Sequence, residues 1–391
     1  MRAALYIYPW DIIDEGIEPC LETLKSLGLD ELSVAINYHT AKILLPHNPK
    51  RRLFFTEPGA LYFEPRPDRY PAGLEPYEGK LTAGSTFLAD LIGKAPRFDL
   101  DVIAWTVCMH NTRLGFMRPE LTVENALGDR LLHNLCPSNP LSREYVLGIV
   151  GDVAGRFAPK AIEIETPSFL GFTHGYHHEI AAIDIPPSLD FLLSLCFCRY
   201  CREKADESGI DTDMLRERVA DHILREFEAP FLPHSPREVM ALIPGIEEFI
   251  DCRADIVTSF VELVKKQACP DTELIAVSTV FPPNADSRLL YGADPFELER
   301  VSDSVTVSGY FDDAARLAED IDLLTAGGMD ASKMRVGLRP QLPDARSYKG
   351  FAVKLRVLAD RSVGGVSFYN YGTMRASSLA WIHDGLREVR G

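Results

Sequence analysis

Residues 161–165 have the sequence Ala-Ile-Glu-Ile-Glu, in which apolar and acidic side chains alternate. Neighbouring side chains of a β-strand point to opposite faces of the sheet. The pattern therefore predicts a strand with Ile162 and Ile164 on one face and Glu163 and Glu165 on the other. In a closed barrel, the apolar pair would face the surrounding helices and the acidic pair would face the lumen.

Seven further short β-branched runs accompany this one, at 3–8, 31–37, 101–108, 273–279, 303–309, 334–339 and 364–370. Helical patterns follow the strands, for example at 312–326, 346–360 and 378–389. Alternation of strands and helices is typical of α/β proteins with a parallel sheet. Because the count is eight and the chain ends just after the last helix, we predict a (β/α)8 TIM barrel rather than an open sheet.

The chain is longer than this fold requires. A typical barrel needs roughly 250 residues, whereas the chain has 391. We predict one barrel domain over residues 1–391, with insertions at 39–80, 109–140 and 166–270 after strands 2, 3 and 4. These insertions would lie on the face where barrel enzymes place their sites.

Composition excludes several classes of function. The formal net charge is −16, and an acidic surface repels phosphate backbones, so a nucleic-acid partner is not expected. No apolar stretch is long enough to span a bilayer, so we expect no membrane partner. Residues 1–10 show no signal-peptide pattern, so we expect a cytoplasmic protein. Its cysteines are then expected to be unpaired. No glycine-rich phosphate loop is present, so no nucleotide cofactor is expected. Association into a homo-oligomer is compatible with the sequence.

Alternation in the other strands predicts a polar barrel mouth. On strand 3 it allows either Trp105 and Met109 or Thr106, Cys108 and His110 to face inward. Aromatic faces combined with a few convergent polar groups suit a sugar ring, which has apolar faces and many hydroxyls. The predicted sugar contacts are Tyr6, Tyr8, Asn37, His39, Trp105, His110, His174, His177, Tyr310, Arg339, Gln341 and Tyr369.

The two histidines 174 and 177 belong to the run Thr-His-Gly-Tyr-His-His-Glu at 173–179. Three histidines in five positions could bind a metal ion, supply a general base or contact sugar hydroxyls. We favour substrate contact. The alternative is a surface loop without a functional role.

Glycoside hydrolysis usually requires two carboxyl groups. Glu165, at the end of strand 4, is the predicted general acid or acid/base, and the charge of Glu163 could raise its pKa. Asp312, after strand 6, is the first choice for the second carboxylate, with Glu163 as the other candidate. Two structural alternatives stay open: Glu163 could pair with Arg335 or Arg339, and Asp312 could cap the helix that follows it.

The segment 196–201, Cys-Phe-Cys-Arg-Tyr-Cys, is the most distinctive short motif. Cys196, Cys198 and Cys201 could occupy three corners of a tetrahedral zinc site, with Cys136 or Cys108 at the fourth. A closed four-cysteine site would be structural. The alternative is that these cysteines act as small buried hydrophobic residues.

Residues 195–203 resemble the Cys-aromatic-Cys-x-x-Cys segment of family forty-two β-galactosidases. Residues 136–140, Cys-Pro-Ser-Asn-Pro, and the run 175–179 resemble segments of bacterial hypothetical glycosyl-hydrolase-like barrels. The resemblance covers roughly residues 130–205. It implies acid/base work for Glu165 and zinc ligation by the three cysteines of segment 196–201.

The chain departs from those galactosidases at two places. Ile164 stands where they have Asn before the acid/base Glu, and residues 339–343, Arg-Pro-Gln-Leu-Pro, lack their strand-7 Glu nucleophile. The retaining mechanism with two Glu residues is therefore not implied, and an inverting mechanism, another nucleophile or loss of hydrolase activity stay open.

These patterns favour a glycoside hydrolase acting on a carbohydrate or glycoside. A second class is a metal-dependent sugar isomerase, epimerase or lyase, in which Glu163, Glu165, His39 and the histidines of 174–178 would bind a divalent ion. A third is a barrel that binds carbohydrate without catalysis.

Overall fold

The computed structural model describes residues 1–174, 180–279 and 283–391, and a closed barrel of eight parallel strands lies at its centre. Each strand pairs with its neighbours in chain order, and the first closes on the last through the register Leu5 with Phe368. The barrel strands are β1 (Arg2–Ile7), β2 (Glu31–Ala35), β3 (Asp101–Val107), β4 (Ala161–Glu165), β5 (Glu273–Val277), β6 (Ser304–Ser308), β7 (Met334–Leu338) and β8 (Gly365–Phe368). The predicted TIM barrel is confirmed.

Helices pack around the barrel. Within the described residues they are α1 (Pro9–Glu15), α2 (Ile17–Ser26), α3 (Phe87–Lys94), α4 (Thr112–Met117), α5 (Pro140–Phe157), α6 (Pro187–Ser194), α7 (Arg199–Glu207), α8 (Thr212–Glu228), α9 (Pro236–Met240), α10 (Ile246–Gln267), α11 (Ser287–Tyr291), α12 (Pro295–Val301), α13 (Ala314–Ala326), α14 (Tyr348–Asp360) and α15 (Ala376–Arg390). Short 3-10 helices occupy Pro67–Arg69, Ala95–Phe98, Pro119–Leu121, Asn284–Asp286, Ala331–Lys333 and Tyr371–Thr373. Among the described residues, no helix is long and apolar enough to cross a membrane.

Small sheets lie in the long segments after β2 and β3. Between β2 and β3, Asn37–Tyr38, Ala60–Leu61 and Tyr77–Glu78 form one sheet, and Lys42–Leu44 pairs with Leu53–Phe55. Between β3 and β4, Thr122–Glu124 pairs antiparallel with Arg130–Leu135. Between β4 and β5, the described residues form five helices, α6 to α10.

Alternation along β4 separates the two layers of the core. Ile162 and Ile164 are buried in the apolar layer between strands and helices. Ala161 instead joins Ala4, Ile103 and Ile275 in a small cluster of inward-facing side chains, and Glu163 accepts hydrogen bonds from residues on other strands. The predicted orientation of the acidic pair is therefore the observed one.

An ion pair lies in the lower lumen, at the strands' amino-terminal ends. Glu31 Oε1 is 2.7 Å from Arg2 Nε, and the other oxygen accepts from Arg335. The pairing of Glu163 with Arg335 or Arg339 that the sequence left open is wrong. Arg335 pairs with Glu31 instead, and Arg339 pairs with Asp344.

Candidate active site

A cavity of about 300 Å³ lies at the carboxyl-terminal mouth of the barrel. It combines aromatic rings, imidazoles, hydroxyls and one carboxylic acid among the described residues that line it. These are Tyr6, Tyr38, His39, His110, Glu165, His174, Val277, Thr279, Thr306, Val307, Ser308, Tyr310, Gly337, Arg339 and Tyr369. Such a mixture of aromatic faces and convergent polar groups is typical of a small-molecule site.

Glu165 ends β4 and is the carboxylic acid of this cavity. Its Oε2 accepts a hydrogen bond of 2.6 Å from Trp105 Nε1, which shows that Trp105 faces the lumen. Neither set predicted for strand 3 holds in full, because Met109 is buried in the apolar layer and His110 lines the cavity. Burial raises the pKa of Glu165 to about 7, against the opposing effect of the Trp105 hydrogen bond and with help from the charge of Glu163. Near neutral pH the group can therefore both hold and release a proton.

Glu163 lies one layer deeper and is 1% exposed. Its Oε1 accepts hydrogen bonds of 2.7 Å from the Tyr6 hydroxyl and from Thr306 Oγ1, and its Oε2 accepts one of 2.7 Å from Ser33 Oγ. Because three donors surround it, the carboxylate can be held without a cationic partner. Two of the donors, Tyr6 and Thr306, also line the cavity.

Three tyrosine hydroxyls meet at one side of the cavity. The Tyr8 hydroxyl lies 2.8 Å from that of Tyr38 and 3.0 Å from that of Tyr369, which are 3.3 Å apart. Tyr8 stacks on Trp10 at 4.3 Å between ring centroids. Tyr8 is thus a support, buried behind Tyr38 and Tyr369, rather than a lining residue.

A stack of imidazoles forms another wall. His39 lies between Tyr38 and His110, with ring centroids 4.2 and 4.0 Å away, and His174 contacts His110 at 5.4 Å. Burial, with additional repulsion from His39 and His133, lowers the pKa of His174 to about 4. His174 is therefore neutral at physiological pH.

Arg339 is a cationic residue in the wall of the cavity. Its guanidinium lies over the Tyr310 ring, 4.1 Å from the centroid, and binds Asp344 through two hydrogen bonds of 2.5 and 2.8 Å. Asp344 is buried. The pair offsets the charge of Arg339, so the wall is polar without being strongly cationic.

The predicted contacts Tyr8 and Trp105 are buried behind the lining residues. Three other predicted site residues lie elsewhere. The expectation that Asp312 points into the mouth is wrong: its side chain is 72% exposed, 3.7 Å from Arg316, because the alternation of β6 ends at Ser308. The helix cap that follows is Asp313, not Asp312 as the alternative held. Gln341 does not line the cavity, and both side-chain atoms of Asn37 bond to the backbone of Val107. His177 lies outside the described residues.

Tyr38 and Thr279 line the cavity, although neither is among the predicted contacts. Alternation from Ile36 and Asn37 would turn Tyr38 toward the helices. However, residues 37–38 leave the barrel and pair with Ala60–Leu61, so the side-chain alternation of β2 does not continue through Tyr38. Thr279 stands on the inward set of β5, and extending the alternation of that strand would have identified it.

Four cysteine sulfurs form a second, fully buried cluster. Cys136 Sγ lies 3.5, 3.6 and 3.8 Å from the sulfurs of Cys201, Cys198 and Cys196. Among residues 1–174, 180–279 and 283–391, this is the group of potential ligands with metal-binding spacing, and all eight cysteines are unpaired. The cluster could bind a metal ion. Cys108, the other candidate for the fourth position, is not part of it.

Comparisons with known proteins identify the fold. No family model and no curated protein matches the chain. The structure is similar to the glycoside hydrolase domain of PgaB (BpsB) from Bordetella bronchiseptica (12% identity, TM-score 0.58, 98% of each chain). It is also similar to a β-galactosidase from Halorubrum lacusprofundi (13% identity, TM-score 0.60), covering 100% of this chain and 58% of that one. The catalytic domain of a β-amylase from Paenibacillus polymyxa matches at 9% identity and a TM-score of 0.57, over 99% of this chain and 98% of that chain.

The raised pKa of Glu165 predicts a pH-dependent cost in stability. The unfolded state releases this proton near pH 4.5 and the folded state near 7, so stability falls as pH rises between these values and then levels off. Glu165→Gln keeps the shape and removes the titration. We expect the variant to gain about 1–3 kcal/mol relative to wild type between pH 4.5 and 8, measured by urea unfolding. An equal difference between the two proteins at both pH values would contradict the shift.

Proposed function

We propose that the chain is a glycoside hydrolase in which Glu165 protonates the glycosidic oxygen of the leaving group. The observation that carries this proposal is a carboxyl group with a pKa near 7 in an aromatic-walled cavity at the barrel mouth. General acids of glycosidases have such raised pKa values. Trp105 holds Oε2, which leaves Oε1 to carry the proton toward the substrate.

The cavity favours a neutral sugar. His174 is uncharged near pH 7, and Asp344 offsets the charge of Arg339. Tyr38, Tyr310 and Tyr369 line the cavity, and their ring surfaces and hydroxyls suit the apolar and polar parts of a sugar. A volume of about 300 Å³ suits one ring better than an extended oligosaccharide. The glycoside hydrolases that share the fold support this choice of substrate class.

Replacing Glu165 tests the general acid. Glu165→Gln should lower kcat on an accepted aryl glycoside by about 10²–10⁴-fold, which is the usual contribution of general acid catalysis. The matched control is Glu273→Gln, since Glu273 pairs with Lys160 at the opposite end of the barrel. This variant should hydrolyse the substrate at the wild-type rate. A panel of aryl glycosides with different leaving groups completes the test. Equal turnover by Glu165→Gln and wild type would remove Glu165 from the mechanism, and binding without turnover across the panel would favour a carbohydrate-binding protein.

For the second half of the reaction we propose that Glu163 acts through Tyr6. Glu163 is too buried to touch a sugar, whereas Tyr6 lines the cavity and donates its proton to Glu163 Oε1. A water at the anomeric carbon would pass a proton to the Tyr6 oxygen while the Tyr6 proton moves to Glu163. The water oxygen bonds to the anomeric carbon as the bond to the leaving oxygen breaks, and that oxygen takes the proton of Glu165. Direct attack by water inverts the configuration.

A double-mutant cycle tests this relay. Tyr6→Phe and Glu163→Gln should each lower kcat by about 10²-fold, and the double variant should be no slower than the worse single variant, because both changes break one path. Ser33→Ala, which removes a donor to the same carboxylate outside the path, should cost much less. Proton NMR of the first product should show inversion. A double variant whose loss of kcat equals the product of the two single losses would contradict the relay, and so would retention of configuration in the product.

We also propose that the four-cysteine cluster binds structural zinc. Zinc–sulfur bonds of about 2.3 Å in a tetrahedron place sulfurs roughly 3.8 Å apart, and the distances to Cys136 are 3.5–3.8 Å. Four thiolates around Zn²⁺ carry a net charge of −2. Two arginines at the cluster, Arg143 and the fully buried Arg253, feel the charge of these sulfurs and would offset it.

Metal analysis tests the zinc proposal. The purified chain should carry one zinc ion, and Cys201→Ser should lose it and unfold at a lower temperature, because structural zinc contributes directly to folding. Cys108→Ser is the control, since Cys108 is equally buried but outside the cluster. A metal-free protein with unchanged thermal stability, or another metal at full occupancy, would overturn the proposal.

A further inference from the structure

A small side pocket adjoins the main cavity. The two share His174, Val277 and Thr279 as lining residues. The side pocket has a volume of about 20 Å³, whereas one water molecule needs roughly 10–15 Å³. The space therefore accepts a group of one or two heavy atoms projecting from a molecule in the main cavity.

Thr166 is the unusual residue of this pocket. It follows Glu165 directly, is 6% exposed, and its hydroxyl has no hydrogen-bond partner among the described residues. Its backbone has a φ of +51°, in the left-handed region that a β-branched residue rarely adopts. The backbone oxygen is tied to Met109 N at 3.0 Å. A strained residue with an unsatisfied buried hydroxyl beside an active site is expected where a ligand completes the hydrogen bonding.

The remaining walls divide into apolar and polar parts. Phe169, Leu170 and Val277 supply carbon surface, and Ser168 and Tyr291 supply hydroxyls. Among the described lining residues there is no lysine or arginine, and His174 is neutral above a pH of about 4 because burial lowers its pKa. The pocket thus matches a short neutral group with one carbon and one hydroxyl.

We infer that this pocket is a specificity subsite that binds the exocyclic hydroxymethyl group of a hexose, with Thr166 Oγ1 as hydrogen-bond partner of its hydroxyl. The inference rests on the proposed function, since it places a sugar ring in the main cavity beside Glu165. The carbon of the hydroxymethyl group would contact Phe169, Leu170 or Val277. The substrate class is therefore a hexopyranoside rather than a pentopyranoside.

Two other common substituents fit less well. An acetamido group has four heavy atoms, which exceeds the space of about 20 Å³ for one or two heavy atoms. The carboxylate of a uronic acid would be buried there without a cation, which is costly. Both serve as comparison arms of the test.

The experiment compares two substrates that differ by this one group. One is an aryl hexopyranoside, and the other is the aryl pentopyranoside of the same ring configuration without the hydroxymethyl group. We expect wild type to favour the hexoside in kcat/KM. Thr166→Val, which keeps the β-branched shape and removes the hydroxyl, should reduce that preference about tenfold, mainly by slowing the hexoside. Thr166→Ser, which keeps the hydroxyl, should retain most of it.

Binding measurements separate the subsite from the catalytic proposal. Calorimetry with non-hydrolysable hexose-shaped and pentose-shaped iminosugars gives the same comparison without turnover. If neither glycoside is hydrolysed but the binding preference exists and falls in Thr166→Val, the subsite stands and the proposed hydrolase function fails. An unchanged preference in Thr166→Val, or a wild-type preference for the pentose, uronic acid or acetamido ligand, would overturn the subsite. Circular dichroism spectra and melting temperatures check that the variants fold.

Discussion

The barrel lumen is organised by the need to hold a carboxylate away from water. Burying an ionised carboxylate is costly unless hydrogen bonds replace its hydration. Glu163 meets this requirement with three hydroxyls, from Tyr6 on β1, Ser33 on β2 and Thr306 on β6. These bonds cross the lumen and connect β4 to three other strands. They also set the position of the Tyr6 ring, so the same interaction that stabilises the centre shapes the floor of the cavity.

Two glutamates separated by one residue have different environments for this reason. Glu163 accepts three hydrogen bonds, whereas Glu165 accepts a hydrogen bond from Trp105. Glu165 is half-buried and lies near the charge of Glu163. Desolvation and like charge both favour the protonated form of a carboxyl group. Differences of environment, rather than of residue type, assign acid and base roles in such pairs. The closed barrel creates this difference in environment, because a side chain deeper along β4 is less accessible to solvent than one at the mouth.

The cysteine cluster and the mouth are connected through Arg253. This side chain is fully buried near the sulfurs, stacks 4.6 Å from the Phe169 ring centroid, and donates to the carbonyls of Leu289 and Leu290. Phe169 and the adjacent Tyr291 line the side pocket. Metal binding at the cluster would therefore order a wall of the side pocket, although no ligand of the metal lies in that wall.

The sequence alone determined the eight strands and, on β4, the inward position of Glu163 and Glu165, because side-chain alternation is a local property of an extended chain. On β3 the alternation left two inward sets open. The sequence also marked Cys196, Cys198 and Cys201 by their spacing. Only the tertiary structure decided what lies across the lumen: Arg335 pairs with Glu31, Cys136 rather than Cys108 completes the cluster, and Asp312 turns to solvent. Those outcomes depend on the relative depth of distant strands and on where each strand ends, and periodicity within one segment carries no information about either.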